Sequence, residues 1–187
     1  MNSMIQIVKA EKQDINALAA LFAQGFMHDP LYCHYVPYEN ERYSILLQIF
    51  TKYLTDFWEE ITVFVTADRK AGLCICPDDA QGTNRLELSL PAEKVYRQIN
   101  HAVAPQFYQN YLVLDLLAVD PQMQGKGIAK ALVGAFINTV KLTGRTGIVE
   151  IYEPANLGFY QKLGFRLAHI QPVGETLSAY LLEWNEE

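Results

Sequence analysis

A mixed α/β fold around a central sheet is the class that this 187-residue chain predicts, and three observations predict it. Short runs rich in β-branched and aromatic residues alternate with stretches of helical apolar period. A long apolar run, YLVLDLLAV from Tyr111 to Val119, leads straight into a helix opened by glycines. The chain then ends on two strand-like segments in succession, which adds a terminal pair to strands otherwise separated by helices.

Each element follows from its own residues. Ile5 to Val8 reads as a first strand. Asp14 suits the N-cap of an amphipathic helix that buries Ile15, Leu18, Leu21, Phe22 and Phe26. His28-Asp29-Pro30 stops that helix, and an aromatic-rich loop runs on to Tyr38. A second helix spans Glu41 to Trp58, with Ile45, Leu46, Ile49, Phe50, Tyr53 and Phe57 at helical spacing. Thr62 to Thr66 and Leu73 to Cys76 form a hairpin around a turn at Asp68 to Gly72.

Between Pro77 and Pro105, Asp78, Asp79, Gln81, Gly82, Thr83 and Asn84 signal a loop, and Ala92 to Ile99 a short helix. After the Tyr111 strand come a helix from Gly125 to Leu142, a strand from Gly147 to Tyr152 and a short helix around Asn156. Strands at Phe165 to Ile170 and Ser178 to Trp184 close the chain, for six to seven strands in all. No repeat, linker or low-complexity block interrupts it, so residues 1–187 are expected to form one domain.

Composition bounds the function. A chain that is 50% hydrophobic can bury a self-sufficient core. A net charge of −6 and a pI near 5.2 argue against nonspecific nucleic-acid binding, and the absence of a basic run leaves a membrane-surface role unsupported. The N-terminal MNSMIQIVKAEKQD has no signal-type apolar stretch, and no segment reaches transmembrane length. Cys33, Cys74 and Cys76 are expected to stay reduced, in a cytoplasm. Neither Cys74-x-Cys76 nor the His28, Cys33, His34 group has the spacing of a zinc site, so no metal is expected.

The sharpest signal is the strand-to-helix junction. The first N–H groups of a helix lack intrahelical partners, and the helix dipole places partial positive charge there. Glycines let a phosphate approach that backbone without meeting a Cβ. Ile128 after Gly127 excludes a Walker loop, and Lys130 stands where a dinucleotide fingerprint needs its third glycine. What remains is Gln124-x-x-Gly127-x-Ala129 following Leu117-Ala118-Val119. Downstream, Asn156-Leu157-Gly158-Phe159-Tyr160 runs into Gly164-Phe165, with Asn156 and Tyr160 expected on one helix face and Gly164 as a left-handed cap.

In this pairing of motifs the chain resembles the GNAT superfamily of acetyl-CoA-dependent N-acetyltransferases. The resemblance covers Tyr111 to about Ile170 and implies a mostly antiparallel mixed sheet flanked by helices. It implies that Gln124, Gly125, Lys126, Gly127, Ile128, Ala129 and Lys130 hold the coenzyme A pyrophosphate through backbone N–H groups. Leu117, Ala118 and Val119 would pair with the pantetheine like an added strand. Asn156 would bond to or orient that arm, and Tyr160 would be the general acid for the departing thiolate. Residues 106–187 are then the acetyl-CoA half and residues 1–105 the acceptor half. Phe159 is expected to be the core residue of its pair and Tyr160 the site residue.

Asp115 is a carboxylate in the middle of an apolar strand, where it must be partnered or exposed. Strand alternation places it on the face of Val113 and Leu117, and it is the candidate base or amine-binding group, with Glu150 a weaker rival. Asp29, Tyr32 and Tyr35 are the candidate acceptor contacts, in a stretch Asp29-Pro30-Leu31-Tyr32-Cys33-His34-Tyr35 that resembles the Asp-Pro loops of the superfamily's small-molecule acetyltransferases. The expected activity is acetylation of a primary amine on a small molecule by direct attack in a ternary complex. The alternatives are a protein lysine or N-terminal acetyltransferase and a non-catalytic coenzyme A-binding module. Homodimers are common in the superfamily, so a homodimer is a further expectation.

Overall fold

The computed structural model describes residues 5–80, 87–102 and 109–186. Gln81, Gly82, Thr83 and Asn84, expected in a loop, lie outside the described residues. Seven strands form one mixed, mostly antiparallel sheet flanked by helices, as the sequence predicts. They are β1 (Ile7–Lys9), β2 (Thr62–Thr66), β3 (Ala71–Pro77), β4 (Tyr111–Val119), β5 (Thr146–Ile151), β6 (Arg166–Val173) and β7 (Leu177–Trp184), in the spatial order β1-β2-β3-β4-β5-β7-β6. The single parallel pairing joins β4 to β5.

One face of the sheet carries α1 (Ile15–Gly25) and α3 (Glu39–Phe57), whose Leu18, Phe22, Leu46, Phe50 and Leu54 share a core with Val65, Leu116 and Ala118. The other face carries α5 (Ile128–Thr143), whose Leu132, Phe136 and Val140 pack with Leu112, Leu114 and Leu182. Ahead of α1, Asp14 does not cap the helix. Its carboxylate turns back to accept the Glu11 N–H at 2.9 Å and the Arg69 guanidinium at 3.2 Å, which ties the first helix to the β2–β3 turn. Two further helices complete this half: α2 (Pro30–Tyr35) and α4 (Leu90–Ala102).

The stretch expected to be a loop after Pro30 is therefore helical. Asp29 accepts the Leu31 N–H at 2.9 Å and Pro30 stands in the first turn, the N-cap and first-position pair that starts a helix. One residue of α3 holds this short helix at both ends. The buried Arg42 guanidinium donates to the carbonyls of Met27 (2.6 Å), Val36 (2.8 Å) and Pro37 (3.1 Å).

The sheet opens where β4 passes Asp115. Pairing between β4 and β5 runs from Tyr111↔Thr146 to Leu114↔Val149 and stops, although β4 continues to Val119. Beyond that point β4 stays with β3 and β5 stays with β7. At the same place the β3–β4 register shifts: Leu114 faces Ile75 and Leu116 faces Cys74, leaving Asp115 as the extra residue of a bulge. The alternation expected through Asp115 fails for this reason. Leu112 and Leu114 pack on the α5 side, whereas Leu116 and Ala118 pack on the α1–α3 side.

Candidate active site

The opening between β4 and β5 leads into a cavity of about 430 Å³ closed on its far side by α2, α3 and α4. Carboxylates reach it from three elements: Asp115 on β4, Glu150 on β5 and Asp29 at the start of α2. Burial, first of all, raises the Asp115 carboxyl above its ordinary value, and a hydrogen bond from the Tyr53 hydroxyl of α3 draws it partly back. The surface Asp115 still exposes opens on the cavity it lines. Glu150 is pushed up to about 7, by burial foremost and by the nearby Asp115 charge, against a hydrogen bond from the Tyr152 hydroxyl. Asp29 is pushed up to about 6, again by burial first, with its cap bonds opposing and the Glu153 charge adding to the rise.

Tyr160 lies on α6 (Leu157–Gln161), wedged edge-on between Phe159 and Phe165 with ring centroids 5.0 and 5.4 Å away. It is the more buried member of the Phe159–Tyr160 pair, so it serves as a core ring as well as lining the cavity. Burial holds its phenol protonated, above the ordinary tyrosine value. No hydrogen bond ties its hydroxyl to any described residue. No side-chain nitrogen or oxygen among the described residues is both sealed and unpaired, so that oxygen opens on the cavity. Asn156 stands at the N-cap of this helix and also faces the cavity, after a short 3₁₀ turn at Pro154–Asn156.

Beyond the opening, the β4 strand delivers the chain to the α5 N-terminus through a shaped loop. Asp120 accepts the Gln122 N–H at 2.8 Å, Gln124 Nε2 donates back to the Val119 carbonyl at 3.2 Å, and Lys126 Nζ folds onto the Gln122 carbonyl at 3.1 Å. Gln124 and Lys126 thus build the loop with their side chains, which leaves its main chain outward. Gly125 and Gly127 hold φ of +73° and +78°, where any Cβ would be strained, and nothing stands within 4 Å of where one would be. The first helical bond runs from Ala131 N–H to Gly127 O, so the N–H groups of Ile128, Ala129 and Lys130 come before it. This open, dipole-backed main chain fits a pyrophosphate. The unpaired β4 edge from Leu117 to Val119 fits an extended amide-bearing arm.

A family model described as an acetyltransferase (GNAT) domain matches residues 62–167, more than half of the chain. The chain belongs to the GNAT acetyltransferase family. A search of curated proteins found no match. Among solved structures, this GNAT protein is similar to a histone acetyltransferase HPA2 and related acetyltransferase from Corynebacterium glutamicum. The TM-score is 0.73 at 13% identity, over 99% of this chain and 98% of that one. It is also similar to the ribosomal-protein-S18-alanine N-acetyltransferase from Escherichia coli, with TM-score 0.56, 18% identity, and 96% and 92% of the two chains covered. A GNAT family acetyltransferase from Elizabethkingia anophelis, solved with acetyl-CoA bound, gives TM-score 0.52 at 13% identity, with 97% and 98% covered. Membership makes this GNAT chain an acyltransferase; likenesses at such identities show the fold alone.

The residues singled out in the sequence distribute as follows. Asp115, Leu117, Asn156, Tyr160, Asp29 and Tyr32 all line the cavity. Tyr35 does not, and packs instead against the α2-side core with its ring edge-on to His34. Cys76 lines the cavity, but burial first and the Asp115 charge second push its thiol up to about 12, so it does not supply a thiolate. Tyr152 donates to Glu150, and the Tyr53 hydroxyl, beside Cys74 Sγ at 3.8 Å, lowers the Asp115 carboxyl; their sequence positions mark both only as aromatics of a strand and a helix. No group of three or more His, Cys, Asp or Glu among the described residues is arranged to hold a metal ion. No helix among them is long and apolar enough to cross a membrane.

Proposed function

We propose that this protein is an acetyl-CoA-dependent N-acetyltransferase that acetylates a primary amine of a small molecule by direct attack in a ternary complex. The observation that carries the reading is the cavity at the β4–β5 opening, with Glu150 and Asp115 on its strands and the Tyr160 phenol on the adjoining helix. Residues 124–130 would hold the cofactor's pyrophosphate, and Leu117 to Val119 and Asn156 its pantetheine arm. Acetyl-CoA supplies an activated acetyl thioester at the opening. Asp115 binds the incoming amine, and Glu150 takes its proton, since a carboxyl titrating near 7 suits a base at neutral pH. The amine nitrogen forms the new C–N bond as the C–S bond breaks, and the Tyr160 hydroxyl protonates the leaving thiolate. A cavity of about 430 Å³ is of the size that takes a small acceptor.

The test is free-thiol release from acetyl-CoA across a panel of small amines and basic peptides. Turnover confined to peptides would remove the small-molecule reading. Tyr160→Phe should lower kcat by roughly 10²–10⁴-fold with coenzyme A affinity nearly unchanged, as loss of a general acid requires. A parallel loss of affinity would make Tyr160 a packing residue, and calorimetry on the same variant reads that directly.

A further inference from the structure

The cavity holds more negative charge than its chemistry consumes. Asp115, Glu150 and Asp29 line it, and no Lys, Arg or His side chain among the described residues does. A fourth acid on its wall, Asp78, is spoken for: it accepts the Asn110 N–H at 2.8 Å and meets the Arg145 guanidinium at 3.4 Å. An amine must be neutral to attack a thioester, so the reacting nitrogen cannot also balance these charges. Compensation has to come from another part of the same molecule.

Tyr32 shows where. Its side chain is only 7% exposed, and its ring is fixed edge-on against Phe26 and Phe50 with centroids 5.5 and 5.6 Å away. Its hydroxyl has no hydrogen-bond partner among the described residues and opens on the cavity. Tyr32, Asp29 and Asp115 all line this cavity, Asp29 at the start of α2 and Asp115 at the sheet opening. An unpartnered hydroxyl that opens on a cavity shared with a carboxylate can receive a donor-rich cation. Phe26, Phe50 and Phe57 supply apolar wall between the two ends, against which methylene groups can lie.

Building on the reading of the site as an amine acetyltransferase, we propose that the acceptor is a linear diamine or longer polyamine. One primary amine reacts at the β4–β5 opening, and a second, protonated amine is held by the Asp29 carboxylate and the Tyr32 hydroxyl. The transfer keeps the balance given above: the distal ammonium retains its proton throughout.

Initial rates with linear diaminoalkanes and with monoaminoalkanes of equal chain length test this. Diamines should exceed their monoamine counterparts in kcat/KM by about tenfold or more, the equivalent of one charge-assisted hydrogen bond. In Asp29→Asn the ratio should fall toward one, through KM rather than kcat. Because Asp29 also caps α2, Tyr32→Phe, which leaves the cap intact, should reduce the same ratio. Equal kcat/KM for the two series would overturn the diamine proposal while leaving the acetyltransferase reading in place, as would a ratio that neither variant moves. Absence of thiol release with every amine and peptide tested would remove both.

Discussion

Burial alone would carry Glu150 further from its ordinary value than it goes. The Tyr152 hydroxyl donates to its carboxylate and draws it down, while the Asp115 charge across the opening pushes it up. The two neighbours therefore predict opposite shifts. With Glu150 as the base, log kcat/KM should rise with pH up to about 7 and then level, once the amine's own titration is divided out. Tyr152→Phe removes the stabilising donor and should move that limb to higher pH. Asp115→Asn removes a like charge and should move it to lower pH. A limb that stays put in both variants would take Glu150 out of the proton path. Asp115 was legible in the sequence because a carboxylate inside LVLDLLAV demands an explanation. Its partner was not, since Tyr53 sits in the apolar stripe of a helix and reads there as core. Tyr160 carries the opposite lesson: its motif spacing marks it for the site, and only packing reveals that it is also the more buried ring.

At the scale of elements, the acceptor wall depends on α2, six residues that could not hold a helix by themselves. Their position rests on Arg42 of α3, whose three bonds bind the chain before and after α2. No carboxylate among the described residues pairs with this buried cation, whose charge is dispersed over carbonyl dipoles. Arg42→Met keeps the volume and strands three acceptors, which should cost about 2–4 kcal/mol of stability. It should also raise KM for the amine far more than KM for acetyl-CoA, because Asp29 and Tyr32 lose their anchor. Equal changes in both constants would mean that α2 does not shape the acceptor side. The strands and long helices were readable from period and glycine placement. α2 was missed although Asp29-Pro30 is a helix-start pair, because the aromatic run after it carries no helical period over so short a span. The bulge at Asp115 was beyond reach in principle: it arises from the register between β3 and β4, which neither strand encodes by itself.

Across the whole molecule, the open sheet sets acidic groups around a cavity that no Lys, Arg or His among the described residues lines, and this has a thermodynamic signature. Asp29 rises from 3.8 to about 6 and Glu150 from 4.5 to about 7 on folding. For a raised carboxyl the folded state binds the proton more tightly, so its contribution is present below the unfolded pKa and lost as pH climbs through the folded one. Asp14 and Asp68 are held below their ordinary 3.8, by the Glu11 N–H and the Thr66 hydroxyl foremost, and finish titrating at lower pH, so they leave the range above pH ~5 flat. The free protein should therefore lose stability between pH ~5 and ~7.5, by about 4 kcal/mol from Asp29 and Glu150, with the raised Asp115 acting in the same direction. In a chain of this size a loss of about 4 kcal/mol corresponds to a fall in Tm of about 8–16 °C. Glu150→Gln, whose amide does not titrate, should remove most of the slope, and Asp29→Asn the part at lower pH. A melting temperature that rises through this window would show these carboxylates to be paired in the free protein, which would remove the charge deficit that calls for a second, protonated amine on the acceptor.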